Sequence, residues 1–143
     1  MNTNKYCHHF RLHFIRRYAF MFPIYLSDFP LFFSTASAVG LGAFGAHGLK
    51  TRLAENPRID YYLDIWKTAS HYHLIHSLAI ILIPFITRNQ GARNRIASLF
   101  GTGITLFSGS LYTLTLTEYS KLGAVTPFGG VSLILGWIAL AFL

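Results

Sequence analysis

The sequence predicts an all-α fold: a four-helix transmembrane bundle with an amphipathic interfacial extension before its second helix. Two observations carry that expectation. Ile96 to Thr117 and Gly123 to Leu143 contain no acidic or basic residue, and each exceeds the roughly 20 residues with which a helix crosses ~30 Å of hydrocarbon. The chain is also 52% hydrophobic and only 12% charged, against about 25% charged in soluble domains. Its 143 residues suffice for one helical domain, so the expected division is 1–29, a basic and aromatic N-terminal lead-in, and 30–143, the membrane domain.

Residues 1–17 hold Lys5, Arg11, Arg16 and Arg17 with His8, His9 and His13 and no acid, a polar tail too short for a core of its own. The apolar stretch that follows lacks a small-residue cleavage site, which argues against removal as a signal peptide. An Arg-rich, acid-free start is shared with mitochondrial presequences, so the mitochondrial inner membrane stands as the alternative to a bacterial inner membrane, and Met21 offers a second start. Tyr18 to Phe29 is aromatic but broken by Pro23 and Ser27-Asp28, a pattern that settles at headgroup level. Cys7 is the one cysteine, which excludes an internal disulfide and a cysteine metal cage. The net charge of +7 sits between apolar blocks, where it serves membrane topology better than nucleic-acid binding.

Helix one is expected from Pro30 to His47, capped by Asp28, with Pro30 tolerated in the first turn. It is rich in glycine, alanine and serine, which let backbones approach closely in lipid; Gly42 and Gly45 are the expected contact points. Lys50 to Asn56 reads as a loop, and Asn56-Pro57 as a capped helix start. Asp60, Asp64, Lys67 and His71 then recur at helical spacing, opposite Ile59, Tyr62, Leu63, Trp66, Ala69 and Ser70, so 57–67 is expected to lie amphipathically at the interface. Helix two proper is placed at 68–87, with Pro84 bending or ending it near Thr87. Arg88, Gly91, Arg93 and Arg95 make the next loop, Ile96 to Thr117 helix three, Glu118 to Leu122 a turn, and Gly123 to Leu143 helix four. Gly109 and Gly130 are further expected helix contacts, and Leu133 is expected to face lipid. Four spans place both termini on one side, with seven Lys/Arg there against five opposite, which orients them toward the cytoplasm.

Four segments in order, Gly42-Ala-Phe-Gly-Ala-His-Gly48, Trp66-Lys-Thr-Ala69 with Tyr72 and His76, Phe107-Ser-Gly-Ser-Leu-Tyr112, and Gly123-Ala-Val-Thr-Pro-Phe-Gly-Gly130 with Gly136-Trp137, resemble a family. It is that of the uncharacterised small four-helix membrane proteins related to YgdD, YwdK and transmembrane protein 256. The resemblance covers Pro30 to Leu143 and implies an integral membrane protein, bacterial inner membrane in most members, with no established activity or site residues to carry over. The first 20 residues depart from it as a longer basic tail.

His73 and His76 share a helix face at the spacing with which one helix offers two metal ligands, while His71 points elsewhere. His47, at the end of helix one, is expected near their level, making His47, His73 and His76 the candidate metal or haem ligands, although no carboxylate or cysteine completes a shell. Counted back from Thr87, His76 lies about 16 Å deep, where a polar group needs a partner such as Tyr72, Ser108, Ser110 or Thr105. No nucleophile has an adjacent base, so neither an enzyme nor a bound cofactor is expected. The glycines of 42–48 lack a phosphate-loop context. The expected partners are the lipid bilayer and further copies of the chain, with no nucleic acid. Three functions remain: a structural or assembly role, proton- or ion-coupled transport by an oligomer, and histidine-based metal or haem binding. A continuous polar stripe favours transport; polar residues paired one to one favour structure.

Overall fold

The computed structural model describes residues 29–143, with side chains from Phe32 onward. The expected tail, the aromatic lead-in and the Asp28 cap lie outside the described residues. The chain divides between Pro30 and Leu31, and the second unit carries the features below. Among the described residues every regular element is helical: α1 (Phe29–Phe44), which runs on through a π turn (Gly45–Leu49) and Lys50–Arg52, α2 (Ile59–Ile86), α3 (Gln90–Thr117) and α4 (Thr126–Ala141), the last entered through a 3-10 turn (Ser120–Ala124). The fold is the expected four-helix arrangement, and three of the helices, α2, α3 and Ser120–Ala141, are long and apolar enough to cross a membrane.

Several boundaries differ from expectation, each for a local reason. Lys50–Arg52 continues the first helix rather than opening a loop. Asn56 does not cap a helix beginning at Pro57; its side-chain oxygen accepts from the Arg58 backbone N–H at 2.8 Å, closing a turn just before the helix starts at Ile59. The amphipathic stretch is the first part of one continuous 28-residue helix, α2, about 42 Å long at 1.5 Å per residue. That exceeds the hydrocarbon thickness by roughly two turns, so its charged beginning projects beyond the apolar layer. The loop expected over 88–95 shrinks to Thr87–Asn89, because the Asn89 side chain accepts from the Ala92 N–H at 3.1 Å and starts α3 at Gln90. Arg93 and Arg95 are therefore helical. At the other end Glu118 closes α3 with φ 57°, the left-handed conformation that lets a chain leave a helix sharply.

Large apolar side chains point outward: Phe85 and Phe128 are each 71% exposed, a liability in water and the ordinary state of a face against acyl chains. Packing is most extensive between α2 and α3 and between α3 and α4. The α3–α4 seam keeps one antiparallel register along its length. Phe100 lies against Gly136, Gly103 against Leu133, and Phe107 against Gly129, while Ser110 bonds Thr126 at 2.9 Å. Steps of three and four residues on α3 are answered by equal steps on α4, and bulky residues meet glycines alternately, so the two backbones approach closely. Leu133, expected to face lipid, is 3% exposed because it fills the space opposite Gly103.

The expected glycine contacts distribute unevenly. A side chain at Gly45 would strike the Trp66 indole, one at Gly42 would stand 4.0 Å from Ser70, and one at Gly130 would lie 3.7 Å from Phe107. Gly109 meets no heavy atom within 4 Å, so it sits away from the helix contacts and the expectation for it is corrected. Gly103, Gly129 and Gly136, not among the expected contact points, approach the neighbouring helix about as closely as Gly45 does.

Candidate functional site

The candidate site is the polar and aromatic interior where α1, α2, α3 and α4 present residues of the four segments named above to one another. It begins at the π turn. Trp66 is buried on α2 and its indole N–H donates to the Leu41 carbonyl of α1 at 2.7 Å. Any side chain at Gly45 would occupy the indole's place, so the glycine is what lets the ring reach that carbonyl. The hydrogen-bond register of α1 slips to the wider π pattern at Gly45–Leu49, the kind of local irregularity that often accompanies an inserted side chain. Phe44 and Tyr112 pack against the same indole at centroid distances of 5.5 and 4.6 Å. The Gly42–Gly48 and Trp66–Ala69 segments are thus two sides of one joint.

His76 lies deeper on α2, 4% exposed. Its Nδ1 is 2.7 Å from the Tyr72 carbonyl and its Nε2 receives the Trp137 indole N–H at 3.1 Å. An indole nitrogen only donates and a carbonyl only accepts, so both contacts require one tautomer: neutral imidazole with the proton on Nδ1. Tyr72 supplies its carbonyl and a stacked ring, centroids 5.7 Å apart, rather than its hydroxyl, and Trp137 is the cross-helix partner. The bond ties α2 to α4, the two helices that flank α3.

His73, one turn toward the charged end of α2, is also buried. Its Nε2 is 3.1 Å from Ser34 Oγ on α1, and that hydroxyl is 2.8 Å from Ser77 Oγ, so α1 is fastened to α2 by a three-member chain. Ser110 bonds both the Phe107 carbonyl, at 3.0 Å, and Thr126. Thr105, Thr113 and Thr117 on α3 each donate to the carbonyl four residues earlier, which satisfies hydroxyls that face outward. Three buried polar atoms have no hydrogen-bond partner among the described residues: His73 Nδ1, Ser108 Oγ and Tyr112 Oη. Ser108 and Tyr112 are one turn apart on α3, and the Tyr112 ring lies 6.2 Å from that of His73.

The structure buries His73 and His76 on α2, the first beside the Tyr112 ring and the second beside the exposed ring of Trp137, and leaves His47 and His71 exposed. Among the described residues no group of three histidine, cysteine or acidic side chains is placed to hold a metal ion. Toward the α2 C-terminus Ala79, Ile80, Ile83, Ile96, Phe100 and Leu133 cluster together, and beside them the Ser132 hydroxyl of α4 donates to the Leu99 carbonyl of α3 at 2.8 Å. Trp137, Ser34 and Ser77 were missed in the sequence. The available signal was chemical: an indole in an otherwise apolar helix needs an acceptor, and a histidine accepting from it answers that need.

A family model described as a protein of unknown function (DUF423) matches residues 41–130. The chain belongs to that family. It is 44% identical over 104 residues to the UPF0382 membrane protein YwdK of Bacillus subtilis, covering 71% of this chain and 80% of that protein. It is 45% identical over 104 residues to UPF0382 membrane protein SAB0533 of Staphylococcus aureus, covering 72% and 81%. A third relative, UPF0382 membrane protein SH2409 of Staphylococcus haemolyticus, is 42% identical over 107 residues, covering 74% and 84%. No solved structure matches the chain. The matched region runs from the Leu41 carbonyl that receives Trp66 to the glycines of the α3–α4 seam. With the apolar outward faces, these relatives make this a membrane protein.

Proposed function

We propose that the protein is a structural or assembly element of the bacterial inner membrane, a small helical module whose intramembrane polar groups hold its helices together. One observation carries this reading. The polar side chains inside the bundle mostly close on one another, Trp66 on Leu41, His76 on Trp137, Ser34 on His73 and Ser77, Ser110 on Thr126. Nearer the start of α3 the Ser132 hydroxyl closes in the same way on the Leu99 carbonyl at 2.8 Å, and apolar side chains such as Ile80, Ile83, Ile96 and Leu133 pack between these pairs. A path for ions needs a continuous line of polar groups from one side of the membrane to the other, and these groups stand as separate pairs with apolar contacts between them.

A second reading, proton- or ion-coupled transport by an oligomer, draws on His73 Nδ1, Ser108 Oγ and Tyr112 Oη, which have no partner among the described residues, because buried polar atoms without partners are costly and intramembrane ionisable groups mark functional sites. Reconstitution separates the two. Proteoliposomes loaded with a pH-sensitive dye and subjected to proton and potassium gradients are expected to leak no faster than empty vesicles. Protein-dependent flux that His73→Leu abolishes while the fold persists would overturn the structural reading.

A further inference from the structure

Between the end of α1 and the first half of α2 lies a groove of about 380 Å³. Gly42, Gly45 and Ala46 keep its floor shallow, and Trp66 beneath them is pinned to the Leu41 carbonyl. Its rim is charged: Lys50 arrives from the first helix, Asp64 and Lys67 from α2. All three side chains are exposed, and none makes an ion pair or side-chain hydrogen bond among the described residues, although Asp64 and Lys67 are three apart on one helix, where such pairs usually meet. Charged groups are excluded from hydrocarbon, so this rim marks headgroup level, with the small residues of α1 offering an apolar track beside it.

We propose that this groove binds a single aminophospholipid, phosphatidylethanolamine, its phosphate between Lys50 and Lys67 and its ammonium on Asp64. The charge pattern selects the lipid. Two cations and one anion around a shallow apolar floor complement a zwitterionic headgroup carrying both an anionic phosphate and an N–H donor. Phosphatidylglycerol answers the lysines but carries no cation for Asp64, offering it only the weaker hydrogen bond of a neutral glycerol hydroxyl. Phosphatidylcholine presents a quaternary ammonium with no N–H to donate to a carboxylate. Free phosphate brings no acyl chain to cover Leu63 and Ala46. The assignment stands apart from the structural role proposed above, since a transporter would hold such a lipid as readily.

The test is native mass spectrometry of the full chain released from detergent and titrated separately with dioleoyl-phosphatidylethanolamine, -phosphatidylcholine and -phosphatidylglycerol. A one-lipid adduct is expected at the lowest concentration for phosphatidylethanolamine. Lys50→Ala and Lys67→Ala should each weaken it by about fivefold, the scale of one cation near a phosphate surface. Asp64→Asn should keep the adduct and erase the preference over phosphatidylglycerol. Ala46→Trp, which fills the groove, should remove the adduct, and circular-dichroism melting reports whether that variant stays folded. Equal binding of the three lipids, tighter binding of phosphatidylglycerol, or an unchanged phosphatidylethanolamine affinity in the double lysine variant would each overturn the proposal. The lysines are exposed, so their replacement leaves the fold as a control.

Discussion

Around Trp66 the helices are joined by a buried indole that reaches across to a backbone carbonyl, with Tyr62, Tyr112 and Leu114 packed about it. Around Phe100 the bonds lie at the edge of the packing: the Ser132 hydroxyl donates to the Leu99 carbonyl at 2.8 Å, and the Trp137 indole that rests on Phe100 donates to His76. Glycines on one helix receive bulky side chains from the other, and the cluster of Ile80, Ile83, Ile96, Phe100 and Leu133 is apolar throughout. In lipid an apolar surface gains little from leaving its surroundings, so helices need close van der Waals approach or hydrogen bonds to associate. This molecule uses both: buried polar side chains bonded between α1 and α2 gather toward the charged start of α2, while close approach at glycines runs along the α3–α4 seam. The difference teaches where each kind of substitution should hurt: the glycine seam is sensitive to volume, the indole and imidazole region to loss of partners.

The largest effect should come from the seam. At Gly129 an added methyl would meet the backbone of α3 itself, with the Leu106 carbonyl carbon and Phe107 Cα at 2.8 Å, and backbone cannot step aside as a side chain can. Gly129→Ala is expected to cost about 3 kcal/mol, at the upper end of overpacking penalties, seen as a lower melting temperature in detergent. Gly109→Ala, which meets nothing, should be neutral or stabilising, since alanine favours a helix by about 1 kcal/mol over glycine. Equal sensitivity at the two positions would dissolve the contrast between seam and surface.

Gly45→Ala comes next. The methyl meets the Trp66 ring, a side chain that can shift, at the expense of its bond to Leu41. About 1–3 kcal/mol is expected, and Trp66 fluorescence should move as the indole is displaced. A melting loss with no spectral change would place the strain elsewhere.

His76→Leu removes both the Trp137 and the Tyr72 contacts while conserving apolar bulk. Intramembrane hydrogen bonds are worth ~0.6–2 kcal/mol, so a modest fall in melting temperature is expected, and Trp137→Phe should add little on top of it. Full additivity in the double variant would mean that the two residues do not act as a pair.

How much of this was legible in the sequence follows from the same contrast. Charge-free runs and helix spacing announced the helices, because length and polarity alone decide what spans a bilayer. Cap chemistry shifted the ends: Asn89, unnoticed as a cap, starts α3 six residues before Ile96, whereas Asn56, read as a cap, closes a turn instead. Depth counting put His76 inside and in need of a partner, but which group answers depends on the angular facing of α4 against α2. No periodicity in either helix alone encodes that: of the expected partners Tyr72 does meet His76, through its carbonyl, whereas Trp137 takes the cross-helix place expected of Ser108, Ser110 or Thr105. Glycines posed the same difficulty. Gly109 and Gly129 look alike along the chain, and only the antiparallel register of α3 and α4 separates the one in open space from the one against a backbone.

The smallest effect concerns Tyr112, whose hydroxyl is buried with no partner among the described residues. Tyr112→Phe removes a polar atom without removing a bond, so stability should be unchanged or rise slightly, within roughly 1 kcal/mol. A loss of 1 kcal/mol or more would reveal an unseen partner such as an ordered water, and would favour the transport reading.

The central claim is that the deep histidine is a lock between helices rather than a carrier of protons. Nitrogen-15 NMR of the selectively labelled His76 ring at neutral pH tests it most directly. The expected result is a neutral ring protonated at Nδ1, with an unprotonated Nε2 whose shift moves on Trp137→Phe, as acceptance from the indole demands. A ring protonated on both nitrogens, or on Nε2 alone, would contradict the account.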